Sequence, residues 1–233
     1  MDEKARIDAV YRERKSSKKA DFYSLLKPGN LFMAQSKERS IREALNNFPC
    51  CLSECRVLDV GCGFGHELRN LLRFGALPEN LCGIDLISER VEEAKKNSPN
   101  LDLREGDAKN LPWPDGFFHV VMQSTVFSSI LDRGVQEAVA REMLRVLRPG
   151  GIVLWYDMRM TDPRNPNLVP MGQRRVRGLF EGCRIDLKSH TLNPWLARPL
   201  AKRFRWACEL LEAFPPLRSH LFGLFEKKEK IER

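Results

Sequence analysis

The sequence predicts a single α/β domain built on a doubly wound, mostly parallel sheet. Three observations carry this expectation. Short apolar runs alternate with amphipathic helical stretches from about residue 56 to residue 157, and such alternation demands parallel strands with helices on both faces. The first run, Val57-Leu58-Asp59-Val60, breaks into glycines at alternate positions, Gly61, Gly63 and Gly65, and then into helix-compatible sequence. The second run, Leu81-Cys82-Gly83-Ile84, closes on an acid, Asp85.

The N-terminal fifty residues read as two helical pieces broken at Pro28-Gly29, one with Ile7, Val10 and Tyr11 on a face, the other with Ile41, Leu45 and Phe48. Strands are expected near 56–60, 81–85, 101–105, 117–123 and 151–156, with a helix over about 65–74 and another that Ser88 would cap. A helix over about 133–147 carries Val135, Val139, Met143, Val146 and Leu147 as its apolar stripe and ends at Pro149-Gly150-Gly151. Residues 158–170, rich in Pro and Asn, read as loop, and 172–180 as a short helix. Ile185 to Leu192 alternates as a sixth strand, and His220 to Phe225 forms a short last one. Between them lies an insertion, Asn193 to Pro216. Its Leu196, Leu200, Phe204, Ala207, Leu211 and Phe214 recur at helical spacing, with Arg198, Lys202, Arg203 and Arg205 mostly off that stripe.

The glycine turn is the chemical signal. Glycine permits positive φ and close approach of a ligand to the backbone, and the N–H groups opening the next helix suit an anion. An acid at the end of the second strand is where a ribose hydroxyl pair would be held. Two nucleoside cofactors use this arrangement. The dinucleotide fingerprint is G-x-G-x-x-G. Here the spacing is G-x-G-x-G, with His66 where the last glycine would stand, and Asp59 lies two residues before Gly61, placed for a cationic amino group.

The stretch therefore resembles motif I of class I S-adenosylmethionine-dependent methyltransferases, and further matches follow in order. Asp85, with Leu86 beside it, fits the family's ribose-binding acid. Asp107 fits the acid that contacts the adenine amino group, with Ala108 offering its backbone N–H. Leu111-Pro112-Trp113 follows. Phe117 to Gln123 looks like motif IV, with His119 where the family usually has Asp, and Met143 to Asp157 looks like the helix, Pro-Gly-Gly turn and fifth strand. The resemblance spans about residues 56–157. It implies S-adenosylmethionine as cofactor, held by Asp59, Gly61, Cys62, Gly63, Gly65, Asp85, Leu86, Asp107, Ala108 and Gln123. It also implies a Rossmann-like sheet with an antiparallel last strand. Within one methyltransferase domain over 1–233, residues 1–50 would be a helical lid, 56–157 the cofactor core and 158–233 the acceptor side.

Methyl transfer from a sulfonium is an in-line displacement, so positioning supplies much of the rate. An alcohol acceptor also needs a base, whereas a carboxylate or phenolate needs less help. The acceptor side offers Gln123, Ser124, Thr125, Tyr156, Asp157, Arg159, Asn165, Asn167 and Arg177. Asp157 is the expected acid or base, with a loop tie as its other reading; His66 is the second candidate, with packing as its other reading. His190 could reach the site or be a satisfied surface group, and Tyr11 and Tyr23 could sit on the lid or in the core. Trp155-Tyr156-Asp157, Asn165-Pro166-Asn167 and Val176-Arg177-Gly178 resemble bacterial methyltransferases that tailor polysaccharides and other glycans. That resemblance implies O-methylation of a sugar hydroxyl on a glycan or glycolipid. The alternatives are a small aromatic or lipid-like acceptor, or a non-catalytic cofactor-binding module.

Lys and Arg number 39 against 31 Asp and Glu, a formal charge of +8. The basic residues form three groups: Arg12 to Lys19, Arg174 to Arg177, and Arg198 to Arg205. No recognised nucleic-acid motif accompanies them, so no nucleic-acid partner is expected. Solvated faces explain most of the charge, with attraction to anionic lipid head groups as the alternative. The seven scattered cysteines fit a reducing, cytoplasmic compartment. Cys50, Cys51 and Cys55 lack partner ligands at metal-binding spacing, so no metal is expected. No apolar run reaches membrane-spanning length, and Met1 is followed by charged residues rather than a signal-peptide core. The insertion admits two readings. Its stripe packs on the sheet edge or over the acceptor site with the charges solvated, which Pro199 favours by shortening the helix, or Trp195, Phe204, Trp206 and the nearby arginines rest on a membrane surface. The oligomeric state is left open.

Overall fold

A computed structural model describes residues 3–16, 20–161 and 165–228, without the side chains of 14–16, 20 and 21. Lys18 and Lys19 of the first basic group and Pro163 of the expected loop lie outside the described residues, as do the side chains of Arg14 and Lys15.

Seven strands form one sheet: β1 (Val57–Val60), β2 (Leu81–Asp85), β3 (Asp102–Glu105), β4 (Phe118–Ser124), β5 (Leu147–Met158), β6 (Cys183–Leu192) and β7 (Arg218–Lys227), in the order β3-β2-β1-β4-β5-β7-β6. β1 pairs in parallel with both β2 and β4, β2 with β3, and β4 with β5, while β7 lies antiparallel between β5 and β6. This is the expected Rossmann-like doubly wound sheet with an antiparallel last strand. The chain winds away from β1 in both directions, which opens a crevice at the carboxyl ends of β1 and β4. β5 and β6 both oppose β7, so they point the same way, and the end of β6 at Leu192 lies on that same edge.

Every residue of β1 and β2 is buried. Strands covered on both faces read as continuous apolar runs, which is why they stood out in the sequence. Alternation along β1 divides the core. Leu58 and Val60 face a cluster with Val121, Val153, Trp155, Phe180 and Phe225. Val57 faces the opposite cluster with Leu81, Val120 and Leu154. Trp155 is fully buried, its ring 4.6 Å from Phe127 and 5.5 Å from Phe180; burying a large apolar side chain contributes about 2–3 kcal/mol.

The helices are α1 (Glu3–Ser16), α2 (Pro28–Asn46), α3 (His66–Arg73), α4 (Ser88–Asn97), α5 (Arg133–Val146), α6 (Gln173–Leu179), α7 (Pro194–Leu200) and α8 (Arg205–Glu212). Three local expectations are corrected. Pro28 opens α2 at its first turn instead of ending a helix; a missing N–H costs nothing there and its fixed φ already suits a helix. Ser88 is the first helical residue of α4 and caps nothing: the cap position is Ile87, whose N–H is taken by Asp85 Oδ1 at 2.9 Å. Pro149 to Gly151 do not separate α5 from β5 cleanly, because β5 begins at Leu147 and slips register against β4 between Phe118 and Val120.

Candidate active site

The glycine turn folds as its composition requires. Gly61, Gly63 and Gly65 all have positive φ, at 72°, 53° and 73°. A side chain at Gly61 would also collide, since its Cβ would lie 2.4 Å from Val126 Cγ2. Gly61 and Cys62 donate their N–H groups to Ile84 O, at 2.8 and 3.0 Å, binding the turn to the end of β2. Gly63 N–H donates to Asp85 Oδ2 at 2.8 Å, so one carboxylate holds both the turn and the start of α4. The Cys62 thiol is buried, and an added Cβ on Gly83 would meet its Sγ at 2.8 Å. Burial pushes this thiol up, out of the range of a reactive thiolate.

A cleft opens above this turn. Its floor is Val60, Gly61, Asp85, Leu86, Gly106, Asp107 and Ala108, from the ends of β1, β2 and β3. Ser124, Thr125 and Val126 follow β4 along one wall, with Ile130, Val135 and Val139 beside them. Asp107 Oδ1 accepts the Lys109 N–H at 2.9 Å. Thr125 holds a φ of 58°, a left-handed conformation that costs a β-branched residue about 1–3 kcal/mol and concentrates at functional sites. It is fixed there by its N–H, given to Tyr156 O at 2.8 Å.

Helix α1 covers the cleft with Glu3, Lys4, Ile7 and Tyr11. Its first turn is latched: Glu3 takes the Arg6 guanidinium at 2.7 and 2.9 Å and the Leu131 N–H at 2.6 Å, and Arg6 also donates to Ser129 O. The Arg6 hydrogen bond holds the Glu3 carboxyl below its usual range. Farther along, the Arg90 guanidinium lies 3.8 Å over the Tyr11 ring. Tyr11 thus lines the cleft, whereas Tyr23 is exposed beside Arg198 and outside the cleft lining.

Behind the turn, Asp59 is buried. Burial first and the Glu67 charge second push its carboxyl well above the usual range, while Lys37 counteracts them. Lys37 pairs with Glu67 at 2.5 Å, donates to Ser124 Oγ at 3.1 Å and lies 5.2 Å from the Tyr156 ring centroid.

Both expected acid–base residues lie outside the cleft lining. Asp157 is fully buried, accepting the Ser128 N–H at 3.2 Å and the Met158 N–H at 2.8 Å. Burial raises its pKa to about 6. It ties the segment after β4 to the end of β5, the loop-tie alternative. His66 begins α3, with Nδ1 2.7 Å from Arg69 Nη2; desolvation and the Arg69 charge lower its pKa. Gln123 is also buried, bridging Tyr156 O at 3.2 Å and the Val126 N–H at 3.0 Å, so it supports the wall from behind. His119 accepts the Arg56 N–H at 3.1 Å, a structural part in the place of the family's acid. His190 is held by Ser40 at 2.6 Å and Thr191 at 2.9 Å, away from the cleft. Asn167 borders a small recess beside Ile7 and Tyr11. Arg90, Lys4 and Thr125's backbone were not legible in the sequence; only the position of Arg90 in the first turn of α4, after Asp85, hinted at its place. Among the described residues, no three His, Cys, Asp or Glu side chains converge as a metal set.

The arrangement fits a nucleoside cofactor. A glycine turn that a Cβ would block, Asp85 and Asp107 on one floor, and an apolar slot of Leu86, Val126 and Val139 match a ribose, an aminopurine and the space between them. Comparison with known proteins gives the class. Residues 57–151 match the family described as a methyltransferase domain. The chain is 34% identical over 167 residues, 67% of its length, to a phthiotriol/phenolphthiotriol dimycocerosates methyltransferase of Mycobacterium ulcerans, covering 59% of that protein. It is 39% identical over 106 residues, 45% of its length, to a fatty-acid O-methyltransferase of Mycolicibacterium smegmatis, covering 37% of that protein. The chain thus spans between about a third and three fifths of these curated relatives. In fold it is similar to the YcgJ protein of Bacillus subtilis, with TM-score 0.60 and 19% identity, covering 84% of this chain and 99% of that one. Residues 57–151 thus carry the match to a methyltransferase domain, on a doubly wound fold shared with the solved structures that the chain resembles.

Proposed function

We propose that the protein methylates an ionised oxygen, a carboxylate or phenolate, on a lipid-like acceptor. One observation carries this reading: among the described residues, each carboxylate lining the cleft is already engaged. Glu3 is held by Arg6 and Leu131, Asp85 by Gly63 and Ile87, and Asp107 by Lys109. The same cleft presents the cationic side chains of Lys4, Arg90 and Lys109. An acceptor that arrives deprotonated needs orientation and charge attraction rather than a base. Ile7, Val126 and Ile130 provide an apolar wall for its chain. The relatives named for fatty-acid and phenolphthiotriol substrates support the same class.

When bound, S-adenosylmethionine supplies an electrophilic methyl group on its sulfonium. Asp85 would hold the ribose, Asp107 and Ala108 the adenine, and the Gly61 turn the amino-acid end, with Asp59 buried behind that turn. Helix α1 excludes water above them. Seven free thiols support a reducing, cytoplasmic setting. A second reading keeps a sugar hydroxyl of a glycan or glycolipid as acceptor, favoured by Ser124 and Thr125 in the cleft wall.

The test is transfer of labelled methyl from S-adenosylmethionine to three acceptors: a long-chain fatty acid, a prenylated phenol and a polyprenyl-linked sugar. Ester or aryl ether formation is expected. Label found only on the sugar would move the assignment to the second reading. Cofactor binding without transfer to any acceptor would leave a binding module.

A further inference from the structure

We propose that α7 and α8, together with residues 22–26, form a docking surface for an anionic lipid bilayer. The inference does not depend on which acceptor is methylated. The insertion packs inward through small residues: Ala197, Ala201 and Cys208 are buried against Phe32 and Leu192. Leu196, Leu200 and Leu211 pack half-buried against that cluster, but the insertion's other large side chains turn outward. Trp195 is 65% exposed, Phe204 49%, Trp206 63%, Leu210 59% and Phe214 61%. The favoured packing reading of the stripe therefore fails at Phe204 and Phe214, which the fold leaves uncovered. Tyr23, Leu25 and Leu26 are also exposed, Leu26 at 94%.

The two segments adjoin. Arg198 of α7 lies 4.1 Å over the Phe22 ring, and Gly29 packs so closely that a Cβ there would come 2.5 Å from Arg198 Cα. Soluble surfaces rarely gather this much large apolar side chain in one region. The charge around it selects the occupant. Residues 22–35 and 194–214 hold five basic residues, Lys27, Arg198, Lys202, Arg203 and Arg205, against two acids, Glu209 and Glu212. Glu212 is turned inward, accepting from Ser36 at 2.7 Å and from the Leu192 N–H at 3.1 Å. Exposed Trp, Phe and Leu flanked by Lys and Arg match the boundary between head groups and acyl chains, and the basic flank matches anionic head groups. The surface also has a use. The insertion follows β6, whose end shares the carboxyl edge of the sheet with the cleft, so an amphiphile leaving the bilayer meets that edge first.

Vesicle co-sedimentation of the full chain tests this. The protein should sediment with phosphatidylglycerol/phosphatidylcholine vesicles at low salt and far less with phosphatidylcholine alone. Neutralising Lys202, Arg203 and Arg205 to Gln should weaken binding on the order of a hundredfold. Trp195→Ser/Trp206→Ser should abolish it while circular dichroism and S-adenosylmethionine affinity stay unchanged. Trp113 and Trp155 are buried, so a vesicle-induced blue shift of tryptophan emission, lost in that variant, places the two exposed indoles in the membrane. Absence of sedimentation with either vesicle at low salt, where attraction is strongest, overturns the proposal and leaves a protein-facing surface. Binding retained by both variants overturns it as well.

Discussion

Arg90 lies 3.8 Å over the ring of Tyr11, so α1 is stacked across the cleft onto α4, the helix that follows Asp85. Such cation–π contacts contribute about 0.5–2 kcal/mol. Arg90→Ala should therefore speed release of S-adenosylmethionine by about 3- to 30-fold, with Arg90→Lys falling between. Stopped-flow dissociation measures this directly. An unchanged off-rate in Arg90→Ala would mean that α1 is held by the Glu3 and Arg6 latch alone.

Asp85 joins the glycine turn to α4 through two backbone N–H groups as well as facing the cleft. Asp85→Ala should weaken S-adenosylmethionine binding about 10- to 100-fold by calorimetry, from lost charge-assisted hydrogen bonds. It should also cost about 1–3 kcal/mol of stability, because both amides lose their acceptor. Unchanged affinity would remove Asp85 from the ribose, and tight NAD binding by the wild type would return the turn to the dinucleotide class.

The sheet and the glycine turn were legible because both rest on local sequence. Val57 to Val60 and Leu81 to Asp85 are continuous apolar runs bounded by turn residues, and Gly61, Gly63 and Gly65 mark a backbone that only glycine adopts cheaply. The acceptor side was not. Asp157 looked like a base because it ends a strand over the site, yet its partner, the Ser128 N–H, comes from a segment 29 residues away. The insertion's stripe had the right period, and Leu196, Leu200 and Leu211 do pack inward, but Ala197, Ala201 and Cys208 form the buried contact while Phe204 and Phe214 stay exposed. Pro28 suits a helix start as well as a helix break, and only the packing of α2 against α7 chooses.

Asp157 makes a pH prediction. Its carboxyl titrates near 6 when folded and near 3.8 when ordinary. A raised folded value means that the folded state prefers the protonated acid. The associated stabilisation is complete below about pH 4 and is lost as pH rises through 6, a swing of about 3 kcal/mol. Asp157→Asn cannot titrate, so the stability difference between wild type and variant should shift in the variant's favour from pH 4 to 7. Urea unfolding across that range measures it. A difference that does not vary with pH would show that Asp157 titrates normally. The variant should leave kcat nearly unchanged where it is folded, since its side chain touches backbone rather than the cleft; a large loss of kcat with unchanged cofactor affinity would restore it as a base.

Lys37 and Glu67 form the ion pair beside buried Asp59, with side chains 17% and 16% exposed. Removing one partner of such a pair leaves an uncompensated charge and costs more than the pair contributes. Lys37→Met should destabilise the fold by about 2–4 kcal/mol, because Glu67 then faces Asp59 without its cation. Lys37→Met/Glu67→Met should recover most of that loss, as two apolar side chains replace two desolvated charges. The Lys37→Met penalty should grow with rising pH. Asp59 already prefers its protonated form when folded, and losing Lys37 strengthens that preference, so stability is kept at low pH and lost as the carboxylates ionise. Urea unfolding of the double-mutant cycle at two pH values tests both points. A double variant as unstable as Lys37→Met would show that Lys37 supports the fold through Ser124 and the Tyr156 ring, and not through Glu67.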